Sequence, residues 1–532
     1  MVGRAITFGK PARGVRAALR DAALLGAALA IAPAVGRPES LTDAIQMAYA
    51  SNPAFKSEQA SLAATNEDYA QARSNFGPQV SATGGVEYQT ADVTLPPSLF
   101  SSQPTNQHFS ATTETADLSL TQPLYTFGQN RARLAEASAT ILAGRQSLRQ
   151  AESKLLLSVI TAYADVLRDR EIVRVVQASI SDLAGISDSI TAQGAAGELS
   201  KTDVAQAESR LLAAKAQLVQ TQTALSISTA AYLAAVGQNP GELEPMPELA
   251  GAPDNLDEAF DTAEHNSPDL RAAEENERLA HDRINEAKSA YGPNISLQVD
   301  AGVQPYAAYI PNELERSITA AVVFKQPIFT SGMTSSVVRQ AVDRDNSAEL
   351  QVEATRRQVI QQVSQAWDQL TEAHNAFVVV SKQLDAEQIA YEGNVEEEKA
   401  GLRSTIDLLN AQLEYTNSRV AVIQDRHDEY VARATLIAAV GALEADRLTP
   451  GPHRPDPIAS YGGPKARLSP QWDDAIGRLL DEVSPATPDP HAYDAAPAQG
   501  GGPSASGGGP ISTRTDVIGD LIDGAASDGD RR

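Results

Sequence analysis

"QPLYTFG" occupies Gln122–Gly128, and "QPIFTSG" occupies Gln326–Gly332, the same phrase in chemical terms 204 residues later. At that spacing the echo runs on without a gap. Val159 meets Val363, Ala162-Tyr163 meets Ala366-Trp367, Asp203 meets Asp407, and "LAAVG" ending at Gly237 meets "IAAVG" ending at Gly441. The upstream flanks echo at a spacing of 215: "LTDAIQMAYASNP" from Leu41 meets "LDEAFDTAEHNSP" from Leu256, and Phe76-Gly77-Pro78 meets Tyr291-Gly292-Pro293. The 532 residues therefore hold a tandem duplication, a first copy over 35–250 and a second over 251–443.

Two periods fill the copies. Val80, Ala82, Val86 and Tyr88 are interleaved with polar residues, as are Ala116, Leu118 and Leu120. The second copy does the same at Ile295, Leu297, Val299 and Ala301, then at Ile318, Ala320, Val322 and Phe324. A period of two with one apolar face predicts strands, here as hairpins over about 79–125 and 294–328. Strands of roughly ten residues suit a membrane crossing; soluble hairpins with one face on a core fit the alternation equally well. The rest reads as helix. Leu134, Ile141, Leu148, Leu155 and Ala162 form a heptad seam in a long helix over about 129–191, and Val204, Leu211, Leu218, Leu225 and Tyr232 form another over about 200–237. The second copy offers long and short partners over about 333–397 and 404–440. A further helix precedes each first strand, Pro53–Phe76 and Pro268–Tyr291, and its length suggests that it stacks end to end with the last helix of its copy, beside the long one.

The opening phrase belongs at a corner. Pro123 and Pro327 cannot donate to a ladder and are expected where the chain leaves the sheet. Gly128 and Gly332 allow the sharp turn into the long helix. Four strands cannot close a barrel alone, and membrane strands tolerate no open edge, so several chains would have to combine.

The ends and the composition narrow the class. Arg4, Lys10, Arg13, Arg16 and Arg20 precede the short apolar run Ala22–Val35, which predicts a signal peptide over 1–34. Its removal takes five basic and one acidic side chain, moving net charge from −25 to −29, which argues against nucleic acid as a partner. The absence of cysteine excludes a disulfide framework, a thiol nucleophile and a thioether lipid anchor. No later stretch is long and apolar enough for a transmembrane helix. Residues 444–532 are rich in Pro and Gly and are expected to be disordered.

These features together resemble the TolC family, the outer membrane exit ducts of Gram-negative type I secretion and efflux systems. The resemblance rests on the paired "QPLYTFG" and "QPIFTSG" corners and on "GELSKTDVAQAE" and "GLRSTIDLLNAQ", which open the last helix of each copy. It implies an α+β membrane protein: a homotrimer whose four strands per chain make one twelve-stranded β-barrel, continued by a long periplasmic α-helical barrel. It also implies a location in the outer membrane, in contact with its lipid and reaching into the periplasm. The partners implied are a periplasmic adaptor and an inner-membrane transporter, of ABC type if the cargo is protein. Type I protein secretion is the preferred reading and small-molecule efflux the alternative.

By the same resemblance the hairpin tips form a gate. Arg403 matches the gate arginine, Thr202 and Asp203 its partners, and Asp407 a ring carboxylate; the second ring position is Asn410, which would leave three carboxylates in place of six. Glu398 stands where an aromatic residue is common. Gly197, Glu198, Leu199, Gly401 and Leu402 would receive the adaptor. Spacing alone gives Asp203 a plainer role, as an acid at a helix start.

No catalytic site or cofactor is expected. The seven histidines form no close pair with metal-ligand spacing, and "GGGPSASGGGP" lacks the Lys-Ser/Thr of a phosphate loop. A trimeric structural coiled coil is the rival from another class, and it leaves four amphipathic strands in matched pairs unexplained.

Overall fold

The computed structural model of the chain describes residues 38–95, 105–307 and 310–445. The expected signal peptide, the tip of the first hairpin around Ser102 and the tail beyond Ala445 lie outside them. The first copy comprises α1 (Leu41–Ser51), α2 (Pro53–Ser74), β1 (Gln79–Leu95), β2 (Thr105–Tyr125), α3 (Gln129–Ala195) and α4 (Lys201–Val236). The second repeats the order as α5 (Leu256–Asn266), α6 (Pro268–Ser289), β3 (Asn294–Ala307), β4 (Ile310–Lys325), α7 (Met333–Lys399) and α8 (Thr405–Ala439).

The strands form one antiparallel sheet in the order β1-β2-β3-β4, so β2 and β3 join the two copies. Register sorts the side chains. Val80, Leu120, Val299 and Ala320 make one cross-strand row and Ala82, Leu118, Ala301 and Ile318 the next, all on one face. The other face carries Ser81, Ser119, Asp300 and Thr319, then Thr83, Asp117, Gly302 and Ser317. The apolar face is uncovered: Ile318 is 83% exposed and Val86 73%. This removes the soluble reading of the alternation, in which a core would cover that face. At 14 to 21 residues the strands outrun the expected ten. β2 is the longest of them and begins at Thr105.

α3 and α7 each have 67 residues, about 100 Å at 1.5 Å per residue. α2 and α4 both pack along α3, and at the corner between α1 and α2 the last residue of α1, Ser51, donates through Oγ to the Val236 carbonyl at the end of α4 at 2.7 Å. Gly237 closes α4 at φ 93°, and a Cβ there would lie 2.5 Å from Ser51 Oγ. The second copy repeats the joint, since a Cβ on Gly441 would lie 2.5 Å from the Asn266 carbonyl oxygen. The two sequence echoes, at spacings of 204 and 215, are thus the two sides of one contact made twice.

The core lies where all these helices converge. Tyr163 and Tyr232 are fully buried there with Ile45, Leu156, Ile160 and Ile437. Tyr163 OH is 2.7 Å from the Glu244 carbonyl, and Tyr232 OH donates to Glu39 Oε1 at 2.6 Å. The folded chain extends past the expected boundary at 443, because Arg149 pairs with Glu444 at 2.7 Å and Ala445 is buried.

Candidate functional site

Two kinds of feature recur in both copies: the corner between strand and long helix, and the tip between long and last helix.

At each corner the glutamine of the repeated phrase is the fastener. Gln122 Nε2 donates to the Phe76 carbonyl at 2.8 Å and to that of Pro123 at 2.9 Å. Gln326 Nε2 does the same with Tyr291 at 2.9 Å and Pro327 at 3.1 Å. The incoming turn (FGP or YGP) is thereby tied to the outgoing strand. Phe127 and Ser331 then take positive φ, 48° and 52°, followed by Gly128 at 87° and Gly332 at 84°. Two successive left-handed residues reverse the chain into the helix. Phe127 lies so close over Gly292 that a Cβ there would be 1.9 Å from the ring. Pro327 stands just past β4 as expected. Pro123 departs from expectation: β2 continues to Tyr125 through an irregularity in register between the two. The strand can pass it because an offset in the ladder removes the need for the missing donor. Ile328 and Phe329 are 94% and 86% exposed, an apolar pair at the rim of the uncovered sheet face.

Each tip is built in the same way. α3 ends with Gly197 at φ 83° and α7 with Gly401 at φ 73°. Glu198 N donates back to the Gln193 carbonyl at 3.0 Å, and Leu402 N to that of Glu397 at 2.8 Å, which satisfies the last carbonyls of each helix. Capping boxes then start α4 and α8. Ser200 Oγ donates to Asp203 at 2.7 Å, and Ser404 Oγ to Asp407 at 2.6 Å. Those hydrogen bonds hold Asp407 below the usual carboxylate range, and the nearby Arg403 adds to the effect.

Within one chain Arg403 is bound to Glu397 at 2.7 Å, while Asp203 serves Ser200 and Thr202 is exposed. Asn410 accepts from Arg210 Nη2 at 3.1 Å, a link between α4 and α8. Beneath the tips Leu409 is buried with Leu183, Ile190 and Ala207 and so joins α8 to the first hairpin. Leu402 is 76% exposed, whereas Leu199, at the position equivalent to Arg403, packs against that small core.

The reading from sequence missed Glu397 and Arg210, and it also missed a charged network midway along α3 and α8. There the His427 ring nitrogens lie 2.9 Å from Asp165 and 2.8 Å from Asp428, and Arg168 pairs with Asp165 and Asp169. None of these partners is close in sequence except along one helix, so only the position of α8 on α3 reveals them. Nothing in this arrangement offers a nucleophile beside a base. It is a set of links between long helices.

Comparison with known proteins agrees. A family model described as "Outer membrane efflux protein" matches residues 44–238 and 259–442, one segment in each copy. The outer membrane efflux protein BepC of Brucella suis is 29% identical over 413 residues, covering 77% of this chain and 87% of BepC. The alkaline protease secretion protein AprF of Pseudomonas aeruginosa is 21% identical over 337 residues, covering 62% and 70%, and several TolC proteins also match. A solved membrane protein from Pseudomonas aeruginosa superposes with a TM-score of 0.65 at 20% identity, over 75% of this chain and 90% of that one. The chain belongs to the outer membrane efflux protein family, of TolC type, and is a channel protein of the outer membrane and not an enzyme.

Proposed function

We propose that three copies of this chain close a twelve-stranded barrel and continue into a periplasmic helical barrel, forming a passive export duct. The observation that supports this most is a four-stranded sheet with β1 and β4 as free edges and an apolar face left uncovered. Hydrocarbon tolerates neither free edges nor open backbone. Two chains would give a barrel filled by its own side chains, and three give one wide enough for a channel. Ser81, Thr83, Asp117, Ser119 and Asp300 would face its lumen.

The tips then form the periplasmic gate. Arg403, Asp407, Thr202, Asp203 and Asn410 stand there with the intrachain links Arg403–Glu397 and Arg210–Asn410. Each such exposed link is weak on its own, but threefold symmetry repeats it. A periplasmic adaptor that meets Gly197-Glu198-Leu199 and Gly401-Leu402 opens the duct by displacing several weak links together. The inner-membrane transporter sets the cargo. Protein secretion, which would take a transporter of ABC type, is favoured by the match to AprF, and efflux by the match to BepC.

The experiment is mass measurement in detergent followed by insertion into a planar bilayer. A species of three chains with a discrete conductance is expected, and a monomer that stays in solution without detergent overturns the reading. Deleting the gene then separates the cargoes. Lost extracellular protein with unchanged dye accumulation supports secretion, and the reverse supports efflux.

A further inference from the structure

Away from corners and tips, α6 and α7 bring together Glu277, His281 and Asp345, with one donor atom of each within 4.8 Å of the other two. Glu277 and His281 are four residues apart on α6, so their side chains leave one face of the helix. Asp345 reaches them from α7. His281 Nδ1 lies 3.8 Å from Asp345 Oδ2, which is beyond hydrogen-bond range. The side chains converge without satisfying one another. The other oxygen, Asp345 Oδ1, is shielded from solvent and has no hydrogen-bond partner. A buried carboxylate oxygen left this way is costly, and a cation between the three side chains would relieve it. Of the two arginines beside His281 on α6, Arg278 is held by Glu275 at 2.9 Å, and Arg283 stands 3.8 Å from Glu136, an ion pair of the same length as His281 with Asp345.

The duplication supplies an internal comparison. At the spacings of 215 for the short helix and 204 for the long one, the equivalent positions in the first copy are Leu62, Asn66 and Ile141. The same pair of helices is thus built with two aliphatic residues and one amide in one copy, and with three potential ligands in the other. Ordinary packing explains the first set and leaves the second without a reason.

We propose that Glu277, His281 and Asp345 form a binding site for a divalent transition metal ion, with Zn²⁺ the best fit. Two carboxylates and an imidazole match its preference for mixed nitrogen and oxygen donors, whereas Ca²⁺ and Mg²⁺ favour oxygen alone. Tetrahedral bonds of about 2.0–2.2 Å set donors roughly 3.4 Å apart, which small rotations about the side-chain bonds achieve. His281 is 62% exposed, so the ion enters from solvent and a water completes its shell. Bound there, it fastens the short helix to the long one in the second copy only.

The test uses the full chain in detergent, stripped with chelator and titrated with Zn²⁺ by calorimetry. A site absent from His281→Ala and Asp345→Asn, with affinity reduced at least tenfold, is expected. Zn²⁺ should raise the thermal midpoint of the parent and not of the variants, and millimolar Mg²⁺ should not compete. Because those variants could also disturb packing, a triple variant copies the first repeat (Glu277→Leu, His281→Asn, Asp345→Ile). It should fold with the parent's helix content and lack the site. Zn²⁺ binding unchanged in the triple variant, or no binding to the parent at micromolar Zn²⁺, overturns the proposal.

Discussion

Gly441 and Gly401 share a φ of 73° and differ only in what surrounds them, which makes Gly441→Ala a sharp test of the helix joint. At Gly401 an added Cβ meets nothing within 4 Å, so Gly401→Ala costs only the left-handed strain of an L residue, about 1 kcal/mol. At Gly441 the same Cβ lies 2.5 Å from the Asn266 oxygen, 2.7 Å from its carbonyl carbon and 3.0 Å from Ser267 Cα. These are backbone atoms, so no rotamer change relieves them, and the α5–α6 corner must move. Overpacking of this kind adds about 1–3 kcal/mol, for a total of about 2–4 kcal/mol. Thermal melts in detergent, followed by far-UV circular dichroism, should show Gly441→Ala several degrees below the parent and Gly401→Ala within a degree or two. Coincident melts for the two variants would refute the claim that close approach, and not backbone conformation alone, requires glycine at the end of α8.

Three further outcomes are expected. Arg210→Ala removes the 3.1 Å link to Asn410, and Arg403→Ser removes the pair with Glu397; each should raise single-channel conductance while the trimer stays intact, and unchanged conductance in both would place the gate elsewhere. Gln122→Ala leaves the half-buried Phe76 carbonyl without its donor, at a cost of about 1–3 kcal/mol, and should reduce the yield of heat-resistant trimer more than Gln326→Ala at the more exposed corner. Glu136 is pushed up from 4.5 to about 7 by burial first and by Glu286 second, against the pull of Arg283. A raised carboxylate pKa makes the folded state hold a proton that the unfolded state has lost, so its stability falls as pH rises from 4.5 to 7 and stays lower above that. After discounting for its partial exposure, Glu136→Gln should stabilise the protein by about 1–2 kcal/mol at pH 8 and by nothing at pH 4; an equal effect at both would remove the ionisation argument.

Sequence alone determined everything whose cause is local. Alternation set which side chains of each strand share a face, and heptads marked the packed stripe of α3, buried from Leu148 to Ala162, and a half-buried one on α4 that ends at the buried Tyr232. Spacing gave Asp203 as an acid at a helix start, and the structure completes it as a capping box with Ser200, repeated by Ser404 and Asp407. The duplication was legible as well, since both copies keep the same corners and tips. Tertiary structure decided whatever depends on how two distant segments are rotated and slid against each other. Gln122 was visible in the repeated phrase, but its partner Phe76 lies 46 residues earlier. Arg210 and Asn410 are 200 residues apart, and no periodicity links them. A search for histidine pairs passes over His281, because its companions are a carboxylate one turn away and another contributed by α7. Pro123 inside β2 shows the converse, a local rule overridden when an irregular register takes away the hydrogen bond that the rule protects. Periodicity fixes the face a side chain occupies; only the packed arrangement of helices and strands fixes what that face meets.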